Sequence, residues 1–264
     1  MYAFSYERPS SVADAAKLAA GGAKPLAGGQ TLLASMKLRL TQPEKLADLG
    51  GIKELSGIRK EGANLVIGAM TRHADVASNA DVKSSFPALA HLASHIGDRQ
   101  VRAMGTIGGS LANNDPSACY PAAVLATGAT VITNKREIAA DDFFKGLFET
   151  ALADGELITS VRFPIPKRAA YEKFAQKASK FALIGVFVAQ TADGKVRVAV
   201  TGAGNGVLRH KGLEDALTRD FTGAAAAGVK IDSAGLSSDL HATADYRANL
   251  ISVMAQRAVA KALA

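Results

Sequence analysis

Short apolar runs alternate with turn-forming clusters along this chain, and the spacing of the apolar positions assigns most runs to an element. Residues 10–22, SSVADAAKLAAGG, place apolar residues at helical spacing between a capping serine, Ser10 or Ser11, and a stop at Gly21-Gly22. They predict a short helix. Lys24 to Ala27 and the LADLG of 46–50 predict short strands. Residues 56–70 predict a hairpin that turns at Lys60-Glu61-Gly62-Ala63. Thr71 is placed to cap a short helix running through Ser78, and Phe86 to Ile96 predicts a more apolar helix with Pro87 near its start. YPAAVLATGATVIT predicts a helix over 120–127 leading into a strand over 129–133. ELITSVRFPIP, 156–166, predicts a strand stopped by two prolines.

A boundary falls near 166–170, because the pattern changes there. Phe174 to Gln190 and Lys195 to Thr201 read as strands, with a turn at Asp193-Gly194. Helical segments follow, the last over Tyr246 to Leu263. Strands followed by helices indicate an α+β protein rather than a doubly wound sheet. No repeat of solenoid period and no low-complexity tail is visible.

Composition narrows the function classes. At 264 residues, 48% of them hydrophobic, the chain has enough apolar surface for a substantial core, in one large or two modest domains. The formal charge of +7 suits an acidic partner or a polyanionic ligand. The densest basic pieces, Lys37-Leu38-Arg39 and Lys167-Arg168, are short and lack interleaved aromatics, so nucleic-acid binding is not expected. One cysteine, Cys119, permits neither an internal disulfide nor an iron–sulfur cluster of the chain's own. The five histidines are scattered and no metal site is expected. The N-terminus MYAFSYERPS has no apolar run after a basic start, and the longest apolar stretch, 181–189, is too short to cross a bilayer. The expectation is a cytoplasmic protein without a transmembrane segment.

Two glycine pairs carry the candidate chemistry. In LAGGQTL (26–32) a strand-like segment runs into Gly28-Gly29, and Gln30 and Thr31 add side-chain donors. In GTIGGSL (105–111) Thr106 and Ser110 bracket Gly108-Gly109. Glycine lets the main chain approach a ligand closely, and successive N–H groups can form a nest for phosphate. Two such loops converging can clamp the two phosphates of a dinucleotide; taken singly, each pair also reads as a turn. No GxxxxGK[ST] is present. The GAGNGV at 202–207 follows a strand but has Val207 where the dinucleotide fingerprint needs its third glycine, and too little chain follows for a doubly wound sheet.

Taken in order, KPLAGGQTLLASMKLRL (24–40), IGAMTRHADV (67–76), IGDRQVRAMGTIGGSLANNDPSACYPAA (96–123), ELITSVRFP (156–164) and YEKFAQKAS (171–179) resemble the flavin-binding medium subunit of the molybdenum hydroxylases, the group of carbon monoxide dehydrogenase and xanthine dehydrogenase. The resemblance covers essentially the whole chain. It implies the FAD-binding fold of vanillyl-alcohol oxidase and p-cresol methylhydroxylase, an α+β fold of two subdomains, followed by a C-terminal domain of sheet plus helices. The expected division is a FAD-binding domain over 1–168, with subdomains of about 1–54 and 55–168, and a C-terminal domain over 169–264.

The resemblance also implies the site. Leu26, Ala27, Gly28, Gly29, Gln30, Thr31 and Leu32 would form one FAD loop, and Thr106, Ile107, Gly108, Gly109 and Ser110 the other. Ile96, Ile158 and Lys177 match family positions that touch FAD elsewhere. Ile158 also reads as plain strand core, and Lys177 as plain surface. Cys119 stands where many members carry an acid that contacts FAD; Cys119 itself reads as a small buried residue, and Asp115 is a nearby substitute. No catalytic side chain is assigned, since the cofactor carries the redox chemistry. The implied partners are a molybdenum-cofactor large subunit and a two-iron–two-sulfur small subunit, in a dimer of heterotrimers. The implied function is electron transfer through FAD from the iron–sulfur subunit to an external acceptor. The alternative is a stand-alone FAD oxidase or dehydrogenase of the same fold, for which His73, His91 and His95 are the available bases.

Overall fold

The computed structural model describes Met1–Ala264. Its first elements are β1 (Ser5–Glu7), α1 (Val12–Ala20), β2 (Lys24–Leu26), α2 (Leu32–Lys37) and β3 (Lys45–Asp48). The three strands form a parallel sheet in the order β1-β3-β2. Parallel neighbours need a crossover, and α1 and α2 supply it. α1 starts where the Ser11 hydroxyl accepts the Asp14 N–H at 3.1 Å and stops at Gly21. Two 3-10 turns, Leu49–Gly51 and Lys53–Leu55, bury Leu49 and Leu55 with Ala15, Ile52 and Leu157 in a small core.

β4 (Ile58–Glu61) and β5 (Asn64–Gly68) make the expected hairpin, with Gly62 at φ +58° in its turn. Six helices follow: α3 (His73–Ser78), α4 (Ala80–Ser85), α5 (Pro87–Ser94), α6 (Arg99–Met104), α7 (Ile107–Asn113) and α8 (Tyr120–Thr127). Thr71 does not cap α3 as the sequence suggests. Arg72 holds that position, and the Thr71 hydroxyl instead meets the N–H and carbonyl of Gly57, both at 3.0 Å. The chain returns through β6 (Thr130–Thr133), β7 (Glu137–Ala139), α9 (Ala140–Phe143), the small β8 (Phe144–Gly146) and β9 (Glu149–Thr150) pair, and β10 (Ile158–Pro164). The resulting antiparallel sheet has the order β4-β5-β10-β6-β7.

The last third builds a second antiparallel sheet from β11 (Arg168–Ala175), β12 (Ala182–Gln190), β13 (Val196–Thr201) and β14 (Leu208–Arg209), in that order. The segment 174–190 is not one strand. It reverses after Ala175, and Lys180 takes φ +62° before β12 begins. α10 (Lys211–Arg219), α11 (Gly223–Ala227) and α12 (Ala244–Leu263) complete the chain. α12 starts at the Thr243 cap and turns Ala248, Ile251, Met254, Ala255, Ala258 and Val259 inward at helical spacing against β11 and β12.

The continuous apolar run of β12 has a physical reason. Its even residues Ile184, Val186 and Val188 face the α12 side, in a core with Val198, Val200, Leu250 and Met254. Its odd residues Phe187 and Ala189 face the other way, into the core built on β5, β10, α5 and α8. Both faces of the strand are covered, so neither keeps polar positions. Phe86 links the two sheets, with its ring centroid 6.1 Å from both Phe163 of β10 and Phe187 of β12. α8 packs against β10, β12 and β13 and is buried along its whole length.

Candidate functional site

β2 delivers the chain into the first glycine pair. Gly29 takes φ +69°, where a side chain is strained, and the chain enters α2 with the Leu33 N–H donating to the Gly29 carbonyl at 3.0 Å. The backbone N–H groups of Gly28, Gly29, Gln30 and Thr31 have no acceptor in the protein. Four consecutive free donors on a half-exposed loop form a surface for an anion. The Gln30 amide folds back onto the Gly28 carbonyl at 3.3 Å, leaving those N–H groups uncovered.

The second glycine pair is built differently. It is the first turn of α7, not an open loop. Thr106 is the N-cap, and its hydroxyl accepts the Gly109 N–H at 3.2 Å. Ile107 and Gly108 donate to the carbonyls of Thr71 and Ala69, and Ser110 to that of Thr106. All four first-turn N–H groups are therefore satisfied within the protein. These glycines serve close packing. A β-carbon on Gly108 would lie 2.5 Å from the Ala69 Cβ, and one on Gly109 would lie 3.3 Å from the Ala27 Cβ. A β-carbon on Gly28 would lie 2.1 Å from the Met104 carbonyl oxygen and 2.7 Å from the Gly105 Cα. The segment around Gly28 thus touches the segment leading into α7, main chain to main chain.

Beneath this contact lies His73. Its N–H donates to the Gly105 carbonyl at 2.9 Å, its ring centroid is 5.3 Å from that of Tyr120, and only 5% of its surface is exposed. Burial, with help from the nearby Arg102 cation, pushes its pKa down to about 4, so the ring is neutral at ordinary pH. His91 and His95 sit one turn apart at the end of α5, ring centroids 4.1 Å apart. His91 Nε2 meets Lys261 Nζ at 2.8 Å, and Lys261 also pairs with Glu172 at 2.6 Å. No group of three or more His, Cys, Asp or Glu side chains is arranged to hold a metal ion.

The remaining predicted residues distribute unevenly. Ile96 is half-buried just past α5 and packs against the main core. Cys119 is buried at the start of α8. Ile158 is 5% exposed on β10, inside the same core. Lys177 is exposed in the turn between β11 and β12. Lys173 bridges Cys119 to the carbonyl of His95, the residue before Ile96. Lys173 Nζ lies 2.6 Å from the His95 carbonyl, 2.8 Å from the Lys180 carbonyl and 3.5 Å from Cys119 Sγ.

Residues 2–166 match the family described as the FAD binding domain in molybdopterin dehydrogenase. This chain belongs to that FAD-binding family. The chain is 37% identical, over 97% of its length and 96% of the relative's, to the carbon monoxide dehydrogenase medium chain of Hydrogenophaga pseudoflava. It is 35% identical, over 98% of its length and 97% of the relative's, to the nicotine 6-hydroxylase medium subunit of Paenarthrobacter nicotinovorans. It superposes on a chain of the Hydrogenophaga pseudoflava carbon monoxide dehydrogenase structure with a TM-score of 0.90 at 37% identity, covering 99% of this chain and 98% of the other. The mixed helix-and-sheet fold is therefore that of this oxidoreductase family. No helix of this FAD-binding chain is long and apolar enough to cross a membrane.

Sequence reasoning missed Lys173. A signal was present: in YEKFA, Tyr171 and Lys173 lie two apart on one face of β11, and Tyr171 is core. A lysine at an inward position of a strand marks a polar contact waiting across the seam. Asp115, by contrast, is occupied locally, accepting the Ser117 N–H at 2.8 Å. It lines a cavity of about 220 Å³ at the same seam, shared with Gln176, Phe181, His241 and Arg247. A larger cleft, about 470 Å³, lies between residues 229–233 and the start of α12 and touches none of the predicted site residues.

Proposed function

We propose that this chain is the FAD-carrying medium subunit of a molybdenum hydroxylase, receiving electrons from an iron–sulfur small subunit and releasing them to an external acceptor. The observation that carries this reading is the row of free N–H groups from Gly28 to Thr31, pressed against the start of α7. That arrangement fits a pyrophosphate: four donors on one loop, no side chain at Gly28 to obstruct them, and a second segment beside it. Bound FAD would supply redox chemistry that takes electrons one at a time, collects two, and passes them on.

The roles of the protein's own residues follow from their places. Gly28, Gly29, Gln30 and Thr31 donate to the pyrophosphate, flanked by Leu26, Ala27 and Leu32. Thr106 and Ser110 offer hydroxyls from the α7 side, with Ile107, Gly108 and Gly109 keeping the two segments close. Ile96, Cys119, Ile158 and Lys177 border the rest of the cofactor. Of these, Ile158 reaches it only if the β10 edge of the core opens toward the flavin, since it is buried here.

The same proposal extends to the fold's finer class and to the assembly. The division is a two-part FAD-binding domain over 1–168, of the vanillyl-alcohol oxidase kind, and a C-terminal domain over 169–264. The assembly is a dimer of heterotrimers with large molybdenum and small iron–sulfur subunits, in the cytoplasm. Relatives named for carbon monoxide and for nicotine are about equally similar to this chain, which supports a substrate set elsewhere in the complex. A stand-alone oxidase needs a base beside the flavin. His91 is held by Lys261, and His73 lies buried behind Gly105.

The test is purification of the chain alone and co-expressed with its large and small subunits, followed by heat release and identification of the chromophore. Free FAD from either preparation is the expected result. A flavin-free complex after reconstitution with FAD overturns the proposal.

A further inference from the structure

The GAGNGV stretch at 202–207 has no part in the cofactor reading, and its structure gives it a different chemistry. It is an irregular bend between β13 and β14. Its start is tied down: the Gly202 N–H donates to the Pro116 carbonyl at 2.7 Å, and the Ala203 carbonyl accepts the Ser237 N–H at 2.8 Å. From Gly204 to Gly206 no main-chain N–H or carbonyl has a main-chain partner. Asn205 is exposed, and of the seven asparagines it alone precedes a glycine. The other asparagines are held in place. Asn64 lies in β5, Asn113 in α7 and Asn249 in α12. Asn79 caps α4 by accepting the Val82 N–H at 3.1 Å, and Asn134 accepts the Leu157 N–H at 2.8 Å. Asn114 is buried and donates to the carbonyls of Gly146 and Glu149, both at 2.8 Å. Gly206 has open space around it: a β-carbon there would meet nothing nearer than the Gly146 carbonyl oxygen, at 3.9 Å.

We propose that Asn205 is a modification site of the folded chain, converted without an enzyme to aspartate and isoaspartate. The co-reactant is water. The Gly206 main-chain nitrogen attacks Cγ of Asn205, a five-membered succinimide closes, and the side-chain nitrogen leaves as ammonia with the proton that the Gly206 nitrogen gives up. Water then opens the ring at one of its two carbonyls. Opening at the side-chain carbonyl gives aspartate, and opening at the main-chain carbonyl gives isoaspartate, with the chain running through the former side chain. One water enters, one ammonia departs, and nothing is oxidised or reduced. Glycine suits the attacking position because it has no β-carbon to hinder closure and its main chain rotates freely. The product lowers the formal charge of +7 by one. Isoaspartate also lengthens the main chain by one carbon, between the tied Gly202 and β14, whose Leu208 and Arg209 pair with Val200 and Ala199. The unbonded bend is free to take up that carbon, so the change stays local.

The experiment is incubation of the purified full chain in heavy-oxygen water at mildly alkaline pH, followed by digestion and mass spectrometry of the peptide that carries residue 205. The expected result is exchange of the Asn205 amide for a carboxyl with one heavy oxygen taken up, in two isomeric peptides, one of them methylated by an isoaspartyl methyltransferase. The rate in the folded chain is expected within about threefold of that in the urea-unfolded chain, because the bend is already free. Gly206→Ala fits the open space and keeps the fold, and is expected to slow the conversion about tenfold, a barrier higher by about 1.4 kcal/mol. Conversion in the unfolded chain but none in the folded one would overturn the proposal, since the bend would then be locked. So would conversion at an unchanged rate in Gly206→Ala, since the Gly206 nitrogen would then not be the unhindered nucleophile. Neither outcome depends on whether FAD is bound.

Discussion

The Cα of Gly28 lies directly against the main chain of Met104, so close that a β-carbon at position 28 would sit 2.1 Å from the Met104 carbonyl oxygen. The obstacle is backbone, which cannot rotate away as a side-chain tip can. Gly28→Ala must therefore separate the two glycine stretches. It is expected to cost about 2–3 kcal/mol of stability and most of the FAD bound. Gly29→Ala meets Leu33 Cδ1 at 2.7 Å and a φ of +69°, a strain of about 1–2 kcal/mol. Gly109→Ala meets only the Thr106 hydroxyl at 2.9 Å and the Ala27 methyl at 3.3 Å, and is the mildest of the three. Denaturant midpoints and released FAD, measured on all three variants, check the ranking.

His73 makes stability depend on mild acid. Its ring titrates near 6.5 when unfolded and about 4 when buried. Between those values the unfolded chain binds the proton first, so stability falls as pH drops from about 6.5 to 4, by about 3 kcal/mol in all. His73→Phe keeps a ring against Tyr120 and removes the proton site. Its stability profile is expected to be flatter across that window. Urea melts at three pH values within it read the slope directly.

Glu156 acts at lower pH. Its carboxylate accepts bonds from Arg136, the Ala153 N–H and Thr133, and the Arg136 bond is the main cause of a pKa held down to about 2, against 4.5 when free. The stabilisation is present above about pH 4.5 and is lost as pH falls toward 2. Glu156→Gln removes the charge-assisted bonds and is expected to cost about 2 kcal/mol at neutral pH. It should cost much less near pH 2. Equal destabilisation at both ends would show that packing, not charge, is what the substitution removes.

Arg247 closes the floor of the seam cavity. It is 4% exposed, donates to the carbonyls of Leu183 and Gly202 at 2.8 and 2.7 Å, and pairs with Asp239 at 2.7 Å. Arg247→Met leaves two buried carbonyls unpaired and is expected to cost about 3 kcal/mol. Thermal unfolding of the chain measures it, and a loss under 1 kcal/mol would mean that water replaces the guanidinium.

Much of this fold is legible because its causes are local. YPAAVLAT becomes α8 over the residues its pattern predicts, and Gly62 turns its hairpin. The misreadings have distant causes. The 174–190 segment contains neither proline nor glycine before Gly185, yet it reverses at Lys180, whose carbonyl is held by Lys173. GTIGGSL looks like a loop because glycine disfavours helix by about 1 kcal/mol per residue. Thr106 capping and the tight fit of Gly108 on Ala69 override that preference. The two glycine pairs look alike in sequence, and only the hydrogen-bond inventory separates the loop with free donors from the one without.

The wall that β12 and β13 give to the main core imposes an order on biosynthesis. Tyr171, Phe187, Ala189 and Ala199 belong to the same cluster as Leu65, Phe86 and Tyr120. The loop before α8 is gripped from the same side, with Thr201 Oγ1 2.7 Å from the carbonyl oxygens of Pro116 and Ala118. A nascent chain that has emerged only as far as residue 166 has the whole family signature and an open core. The loop before α8 gains its Thr201 contacts only once Thr201 has left the ribosome.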